Sequence, residues 1–278
     1  MIDYHIHTSL CNHAKGPMES YVLSAVKKGF KEICFLDHLT ITEAGKHLSM
    51  ATDEVFLYYH HARMLQHQYK DTIDVKVGLE IDFNPIHLDA CIEIIEMYAF
   101  DAIGSSLHFL NDHNMVSSKA SWKNGSGNTD YIYKLYFETL AQMIDSSYFD
   151  IICHLDMIKK FNRRSLVSFE KEIDMVIKEI KKKNIAVEIN TSGFNHPVND
   201  MYPGLEIINK CREQEVMITI GSDAHDPESV GQHFDKAFNA LISSGYTHFT
   251  TFAKRSPETI PIPGFLESCL NHNKGCVC

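Results

Sequence analysis

The stretch IDYHIH, residues 2–7, opens the chain with an apolar run that carries two histidines at alternating positions. Because successive side chains of a strand point to opposite faces, His5 and His7 leave the same face of the strand that this run predicts. Six further runs are rich in apolar residues, and most of them end in polar ones: EICFLDH (32–38), VKVGLEID (75–82), FDAIGSSLH (100–108), FDIICHLD (149–156), IAVEINTS (185–192) and VMITIGSDAH (216–225). The sequence therefore predicts seven strands.

Amphipathic helix patterns separate these runs. The first, PMESYVLSAVKKG (17–29), has Pro near its first turn and Gly after its last, as helix ends prefer. The other predicted helices cover 53–69, 86–98, 129–145, 168–183, 202–214 and 227–244. Strands that alternate with helices are typical of βαβ units in a parallel sheet, and α/β barrels commonly reach this chain length. No Gly/Ser linker divides the chain, so we expect one domain over residues 1–278, with a polar loop at about 111–128 on the substrate side.

The composition excludes several classes of protein. With 44% hydrophobic and 22% charged residues, the chain has the composition of a globular protein. Its net charge of −10 argues against a nucleic-acid partner, because clustered Lys and Arg hold a phosphate backbone. The N-terminus lacks the features of a signal peptide, and no long apolar run follows, so we expect a cytoplasmic protein with no membrane partner. Eight cysteines without a CxxC pair favour reduced thiols, and the oligomeric state is left open.

Histidine is the unusual residue, with 17 copies. Seven histidines and two carboxylates fall on the predicted strands, mostly near their ends, or in the loop after the first: His5, His7, His13, His38, Glu80, His108, His154, Asp223 and His225. In a parallel barrel all carboxyl ends of the strands meet on one face, so these side chains should converge. A single histidine on an apolar strand is more often a hydrogen-bonded core residue than a ligand, but core packing does not place a titratable group at nearly every strand end.

Imidazole and carboxylate ligands suit zinc, manganese or iron, and a carboxylate can bridge two ions. The pattern therefore predicts a cluster of two to three divalent metal ions that activates water. The other ten histidines are expected to be solvated or structural: His47, His60, His61, His67, His87, His113, His196, His233, His248 and His272.

The motifs DYHIHT (3–8), LDH (36–38), GLEID (78–82), SLH (106–108), CHLD (153–156) and GSDAH (221–225), in this order, resemble those of the PHP (polymerase and histidinol phosphatase) family over nearly the whole chain. The resemblance implies an α/β fold, a distorted (β/α)7 TIM-like barrel, with a trinuclear metal centre. One ion would be held by His5, His7, Glu80 and Asp223. A second would share Glu80 and add His108 and His154, and a third would be held by His13, His38 and His225.

Within that family, HTSLCNHAKG (7–16), SLHFL (106–110) and CHLDMIKKF (153–161) are most similar to the histidinol-phosphate phosphatases. This similarity implies hydrolysis of L-histidinol phosphate, a small phosphate monoester, with Asp223, Glu80 and His225 as the catalytic residues.

The residues that support the site are predicted from their positions. Lys159, Arg163 and Arg164 follow the fifth strand and are expected to clamp the phosphate, with a solvated basic loop as the alternative. Carboxylates beside the ligand histidines are expected to orient imidazoles: Asp37, Asp156 and Asp226. Glu188 and Asn190 either contact the substrate or close the mouth of the barrel.

Three other functions fit parts of the sequence. A phosphoesterase of the same family could act on a nucleotide or sugar phosphate, because shared metal ligands do not determine the pocket. A non-catalytic metal-binding module is less consistent with the intact ligand set. An amidohydrolase-like barrel also opens with HxH, but Glu80 stands where the PHP pattern requires it.

Overall fold

Seven parallel strands form a nearly closed barrel in the computed structural model, which describes residues 1–110, 113–117 and 129–263. The strands of this part of the chain are β1 (Ile2–Ile6), β2 (Glu32–Leu39), β3 (Asp74–Asp82), β4 (Ala102–Ser106), β5 (Phe109–Leu110), β6 (His113–Asn114), β7 (Ile151–Ile152), β8 (Ala186–Asn190), β9 (Ile218–Gly221), β10 (His248–Ala253) and β11 (Ser256–Pro261). The barrel order is β1-β2-β3-β4-β7-β8-β9. All seven predicted strands are confirmed, although β7 keeps only two residues of the predicted run at 149–156.

The barrel closes between its last and first strands. Just after β9, the N–H of Ala224 donates to the carbonyl of His5 at 3.2 Å, and the N–H of His7 donates to the carbonyl of Ala224 at 3.0 Å. The residue after Ile6 in β1 is therefore held beside the residues that follow β9. This closure brings two predicted ligand segments, at opposite ends of the predicted strand series, next to each other.

Seven helices are present among the described residues: α1 (Met18–Lys27), α2 (Val55–Tyr69), α3 (Leu88–Glu96), α4 (Thr129–Asp145), α5 (Glu170–Lys182), α6 (Leu205–Glu213) and α7 (Phe234–Ser243). Each confirms a predicted helix. Gly29, after α1, has the positive φ of 77° that glycine tolerates best. The pattern at 227–244 begins as a separate turn at Pro227–Ser229, where Asp226 accepts the N–H of Ser229, and α7 starts only at Phe234.

Two strand pairs were not predicted. The β10–β11 hairpin lies against the amino ends of the barrel strands: Arg255 pairs with Asp150 at 2.9 Å, just before β7, and its N–H donates to the carbonyl of Asp101, just before β4. Phe252 of this hairpin is buried and donates its N–H to the hydroxyl of Tyr4 in β1 at 2.7 Å. The hairpin therefore covers the end of the barrel opposite the predicted ligands.

The second pair is β5–β6, which follows His108 directly. The predicted loop at about 111–128 lies largely outside the described residues, and its described part is 113–117. Within the described chain, no helix combines the length and the apolar character needed to span a bilayer.

Candidate metal centre

Glu80 lies at the middle of a histidine cluster on the carboxyl face of the barrel. Its side chain is fully buried, with Oε2 at 2.8 Å from His38 Nδ1 and 3.3 Å from His5 Nε2. The other oxygen, Oε1, lies 2.8 Å from His154 Nε2 and 3.6 Å from His108 Nε2. The parallel register that pairs His38 with Glu80 across β2 and β3 accounts for part of this convergence. One carboxylate therefore faces imidazoles delivered by or just after four different strands.

Asp223, which follows β9, is the second carboxylate of the cluster. Its Oδ1 is 3.0 Å from His7 Nε2 and 3.5 Å from His225 Nδ1. Its Oδ2 accepts the hydroxyl of Ser192 at 3.0 Å and the amide of Asn190 at 3.3 Å. The predicted ligand His13 completes the group, with its Nε2 at 2.9 Å from that of His225. All nine predicted ligands are thus gathered in one place.

The charges in the cluster suit a cation. Burial alone would raise the pKa of Glu80, but the imidazoles of His38, His5 and His108 together outweigh it and hold the pKa well below its usual value. Asp223 behaves in the same way, because His5 and His7 oppose the effect of burial and lower its pKa. Two ionised carboxylates therefore lie inside the barrel mouth.

The imidazoles fall into two groups, because the pKa is lowered at some of them, whereas carboxylates outweigh the effect of burial at His5 and His7 and raise the pKa of those two. Burial, reinforced by His38, lowers the pKa of His13 to about 4. Burial is also the largest cause that holds the pKa values of His108 and His225 well below the usual value for histidine. A neutral imidazole keeps a nitrogen lone pair, which is the form that binds a metal ion.

Two buried atoms test whether metal ions fit here. His5 Nε2 faces Glu80 Oε2 at 3.3 Å, and neither this contact nor the 2.8 Å approach of His38 Nδ1 to the same oxygen has hydrogen-bond geometry, so both atoms lack a hydrogen-bond partner in the part of the chain that the structure describes. Buried polar atoms are rarely left in this state, since an unsatisfied group raises the free energy of the fold. A divalent ion bound between an imidazole and a carboxylate would satisfy both atoms, so the residues fit the metal cluster that the sequence predicts.

A second layer of acceptors orients the imidazoles, as metal-bound histidines require. Glu188 Oε1 lies 2.6 Å from His5 Nδ1, and Asp37 Oδ1 lies 3.2 Å from His7 Nδ1. Gly221 is essential to this packing, because a Cβ on it would lie 2.1 Å from Glu188 Oε1. Glu188 therefore holds an imidazole in position, a role that the sequence alone did not assign to it.

The other two carboxylates predicted to orient imidazoles have different partners. Asp156 binds Lys159 at 2.8 Å, and Asp226 accepts both the N–H and the hydroxyl of Ser229. Asp37 is thus the one member of the predicted trio that contacts a ligand imidazole in the described structure.

A basic residue that the sequence analysis did not single out, Lys160, lies beside the cluster. It lines both clefts that open onto the predicted ligands, of about 100 and 350 Å³, and shares them with Asp223 and His225. Burial lowers the pKa of Lys160, and Asp223 partly opposes this effect. His196, expected to be solvated or structural, lines the larger cleft, where burial and then Lys160 lower its pKa to about 4.

The predicted phosphate clamp lies elsewhere. Lys159 is buried between Asp156 at 2.8 Å and Asp200 at 2.7 Å, and with Arg164 it lines a separate cleft of about 480 Å³ against α4, α5 and α6. Arg163 accepts the hydroxyl of Tyr133 on its carbonyl oxygen. None of these three residues lines either cleft beside the metal ligands.

Comparisons with known proteins show the family of this chain. Residues 3–192 match the family model described as the PHP domain. The chain is 27% identical over 248 residues to the probable histidinol-phosphatase of Deinococcus radiodurans, which covers 88% of this chain and 94% of that protein. It is 23% identical to the histidinol-phosphatase of Bacillus subtilis, over 84% of this chain and 96% of that protein.

A solved structure shares the fold. The histidinol phosphate phosphatase of Lactococcus lactis, crystallised with zinc, L-histidinol and phosphate, superposes with a TM-score of 0.82 at 20% sequence identity. The match covers 92% of this chain and 98% of that one.

Proposed function

This chain belongs to the PHP domain family, and on that premise we propose that it is a metal-dependent phosphatase that hydrolyses L-histidinol phosphate to L-histidinol and phosphate. The observation that carries the proposal is the Glu80-centred cluster, in which buried carboxylates face imidazoles from several strands beside a lysine-lined cleft. The substrate is supported by the relatives named as histidinol-phosphatases, which align with nearly the full chain.

We propose that two to three ions of zinc, manganese or iron occupy the cluster. His5, His7, Glu80 and Asp223 would hold one ion, and Glu80, His108 and His154 the second. His13, His38 and His225 would hold the third. When bound, such ions supply a water of lowered pKa and neutralise the oxygens of a phosphate group.

The protein's own residues would bind and orient the substrate. Lys160 is the cation best placed to pair with a phosphate oxygen, since it lines both clefts of the cluster whereas Lys159 is already neutralised by two carboxylates. Asp223 lines both clefts, so it is the carboxylate placed to take up the proton of the attacking water and pass it to the leaving alkoxide. The polar cleft at Asn195, His196 and Gln232 has room for the amino-alcohol part of the substrate.

The test is phosphate release from L-histidinol phosphate, compared with a panel of nucleotide and sugar phosphates. The protein is depleted of metal and then reconstituted with zinc or manganese, and a variant with His5→Ala and His7→Ala serves as the control. We expect L-histidinol phosphate to be preferred by orders of magnitude and the double variant to be inactive. A stronger reaction with another phosphate would overturn the substrate, and a panel without any hydrolysis would overturn the enzymatic function.

A further inference from the structure

Cys11 lies beside the proposed metal centre but is not among its predicted ligands. It ends the short turn Ser9–Cys11 that follows β1, and its side chain is fully buried. Its Sγ is 4.0 Å from His13 Nε2, and Sγ forms a group with a ring nitrogen of His13 and one of His225 in which all three atoms lie within 4.8 Å of one another. A thiol is therefore within reach of the position that two predicted metal ligands share.

The two imidazoles beside Cys11 are held in one tautomer. His13 Nδ1 lies 2.7 Å from the carbonyl oxygen of Cys11, and His225 Nδ1 lies 3.0 Å from that of Asp223. A carbonyl oxygen only accepts, so each Nδ1 carries the hydrogen and each Nε2 of the neutral ring keeps its lone pair. These two Nε2 atoms are only 2.9 Å apart. Two lone pairs at this distance repel each other unless a cation lies against both.

We propose that the Cys11 thiolate is a further ligand of the metal ion bound by His13 and His225. In a tetrahedral zinc site, metal–ligand distances of about 2.3 Å to sulfur and 2.0–2.1 Å to nitrogen place sulfur and nitrogen about 3.6 Å apart. The 4.0 Å between Sγ and His13 Nε2 therefore needs only a small movement to reach this geometry. On binding, the S–H bond breaks, a metal–sulfur bond forms and the proton passes to solvent, with no change in oxidation state.

A thiolate would make this position different from the rest of the cluster. Sulfur is a softer donor than imidazole or carboxylate, so it favours zinc or iron(II) over manganese. The ion beside Cys11 should then be selective, while the ions around Glu80, which have nitrogen and oxygen donors, should accept manganese as well. This inference rests on the proposed metal centre and adds a ligand and a metal preference to it.

Cys153 is the natural comparison, because its sulfur is also grouped with His5 and Glu188. However, His5 Nδ1 is already 2.6 Å from Glu188 Oε1, so the ring nitrogen on that side is engaged by a carboxylate. Cys91 is buried in α3. It is not a member of the group that contains Cys11 or of the group that contains Cys153. These two cysteines give matched controls.

The experiment is a cobalt(II) titration of the metal-depleted full-length protein, followed by absorption in the near ultraviolet, where thiolate-to-cobalt charge transfer absorbs. A background with Cys269→Ser, Cys276→Ser and Cys278→Ser removes the three thiols that follow residue 263. We expect the band in this background and in its Cys153→Ser and Cys91→Ser derivatives, and its loss in Cys11→Ser. Zinc affinity measured by competition should fall at least about tenfold in Cys11→Ser, while manganese binding stays unchanged.

The spectrum does not depend on turnover, so this inference and the proposed activity can fail separately. A cobalt-saturated protein without the band, or a band lost in Cys153→Ser and kept in Cys11→Ser, would overturn the ligand role of Cys11 and leave phosphatase activity untouched. The melting temperature of Cys11→Ser checks that its fold is intact. If Cys11→Ser does not fold, Cys11→Ala in the same background decides the outcome: loss of the band supports the ligand role, and a band that persists overturns it.

Discussion

Two adjacent lysines at the end of the fifth barrel strand have opposite roles. Lys159 points into a buried ion triad with Asp156 and Asp200, whereas Lys160 lines the clefts at the metal ligands. The turn Met157–Lys159 follows β7 and ends between the two lysines, whose side chains lie in different surroundings. One side chain therefore stabilises the fold, and its neighbour is free to bind an anion.

This difference can be measured with the same substitution at both positions. Lys160→Met should lower kcat/KM for the phosphate substrate roughly 10- to 150-fold, because a charged hydrogen bond contributes about 1.5–3 kcal/mol. Its melting temperature should stay close to that of the wild type. Lys159→Met should instead lower the free energy of unfolding by about 3 kcal/mol, since it leaves Asp156 buried without its cation.

Steady-state kinetics and urea unfolding of the two variants provide the readouts. Lys160→Arg, which keeps the positive charge, is the control and should recover much of the lost kcat/KM. A large kinetic defect in folded Lys159→Met together with a normal Lys160→Met would contradict the assignment of Lys160 as the phosphate partner.

At the scale of elements, the β10–β11 hairpin contacts the barrel at Tyr4, which also binds the half-buried carboxyl of Glu32. Tyr4 of β1 donates its hydroxyl to Glu32 at the start of β2 and accepts the N–H of Phe252 in β10. Burial raises the pKa of Glu32 from 4.5 to about 7, although the hydrogen bond from Tyr4 and the charge of Lys76 oppose this effect. The protonated carboxyl is thus the form that the folded protein prefers.

A pH dependence of stability follows from this shift. Because the pKa of Glu32 is higher in the folded than in the unfolded chain, the folded protein binds more protons between about pH 4.5 and 7 and loses stability as the pH rises through that range. Glu32→Gln should remove this loss. Relative to the wild type, its free energy of unfolding should increase by about 2 kcal/mol between pH 5 and pH 8.

Urea unfolding at both pH values measures the effect, and Glu213→Gln at an exposed position of α6 is the matched control. The control should follow the wild type at both pH values. A gap between Glu32→Gln and the wild type that stays constant with pH would show that Glu32 does not titrate in this range.

The elements also show what the sequence could predict. Runs of apolar residues separated by amphipathic patterns predicted all seven barrel strands and all seven helices, because both periodicities follow from which face is buried. The β10–β11 hairpin was missed because SPETIP, in β11, is largely exposed and has no apolar alternation. Its stability comes from contacts with residues distant in sequence, such as Tyr4.

The residues of the candidate site likewise include some that the sequence could predict and some that it could not. Strand ends of a parallel barrel converge by geometry, so the positions of His5, His38 and Glu80 could be predicted to meet. Lys160 and His196 lie in loops after the strands, and the path of a single turn decides whether such a loop residue faces the cluster. The sequence pattern does not show this path, and both residues were therefore missed. Their signal in the sequence is no stronger than that of Lys159.

On the scale of the whole molecule, the cluster connects the barrel across its carboxyl face. The predicted ligands lie on or just after β1, β2, β3, β4, β7 and β9, and Glu188 adds β8 through its contact with His5. Without cations, buried atoms such as His5 Nε2 and Glu80 Oε2 have no hydrogen-bond partner among the described residues. Bound ions would therefore act as cross-links among all seven barrel strands.

Metal removal should for this reason weaken the entire fold as well as any activity. A ligand that binds only the folded state adds about 2.7 kcal/mol to the free energy of unfolding when its concentration is 100 times its Kd. We expect chelator-treated protein to melt several degrees below zinc-loaded protein and to recover when zinc is restored. Scanning calorimetry with and without metal measures this difference.

The variant with His5→Ala and His7→Ala distinguishes stabilisation by ions bound in the cluster from stabilisation by ions bound elsewhere on the protein. Both side chains are fully buried, so the variant should melt lower than the wild type even without metal. If the ions connect the strands through the cluster, the variant should also lose most of the additional stability that zinc confers. An equal gain in the wild type and the variant would contradict this cross-linking, because the stabilising ions would then bind without His5 and His7.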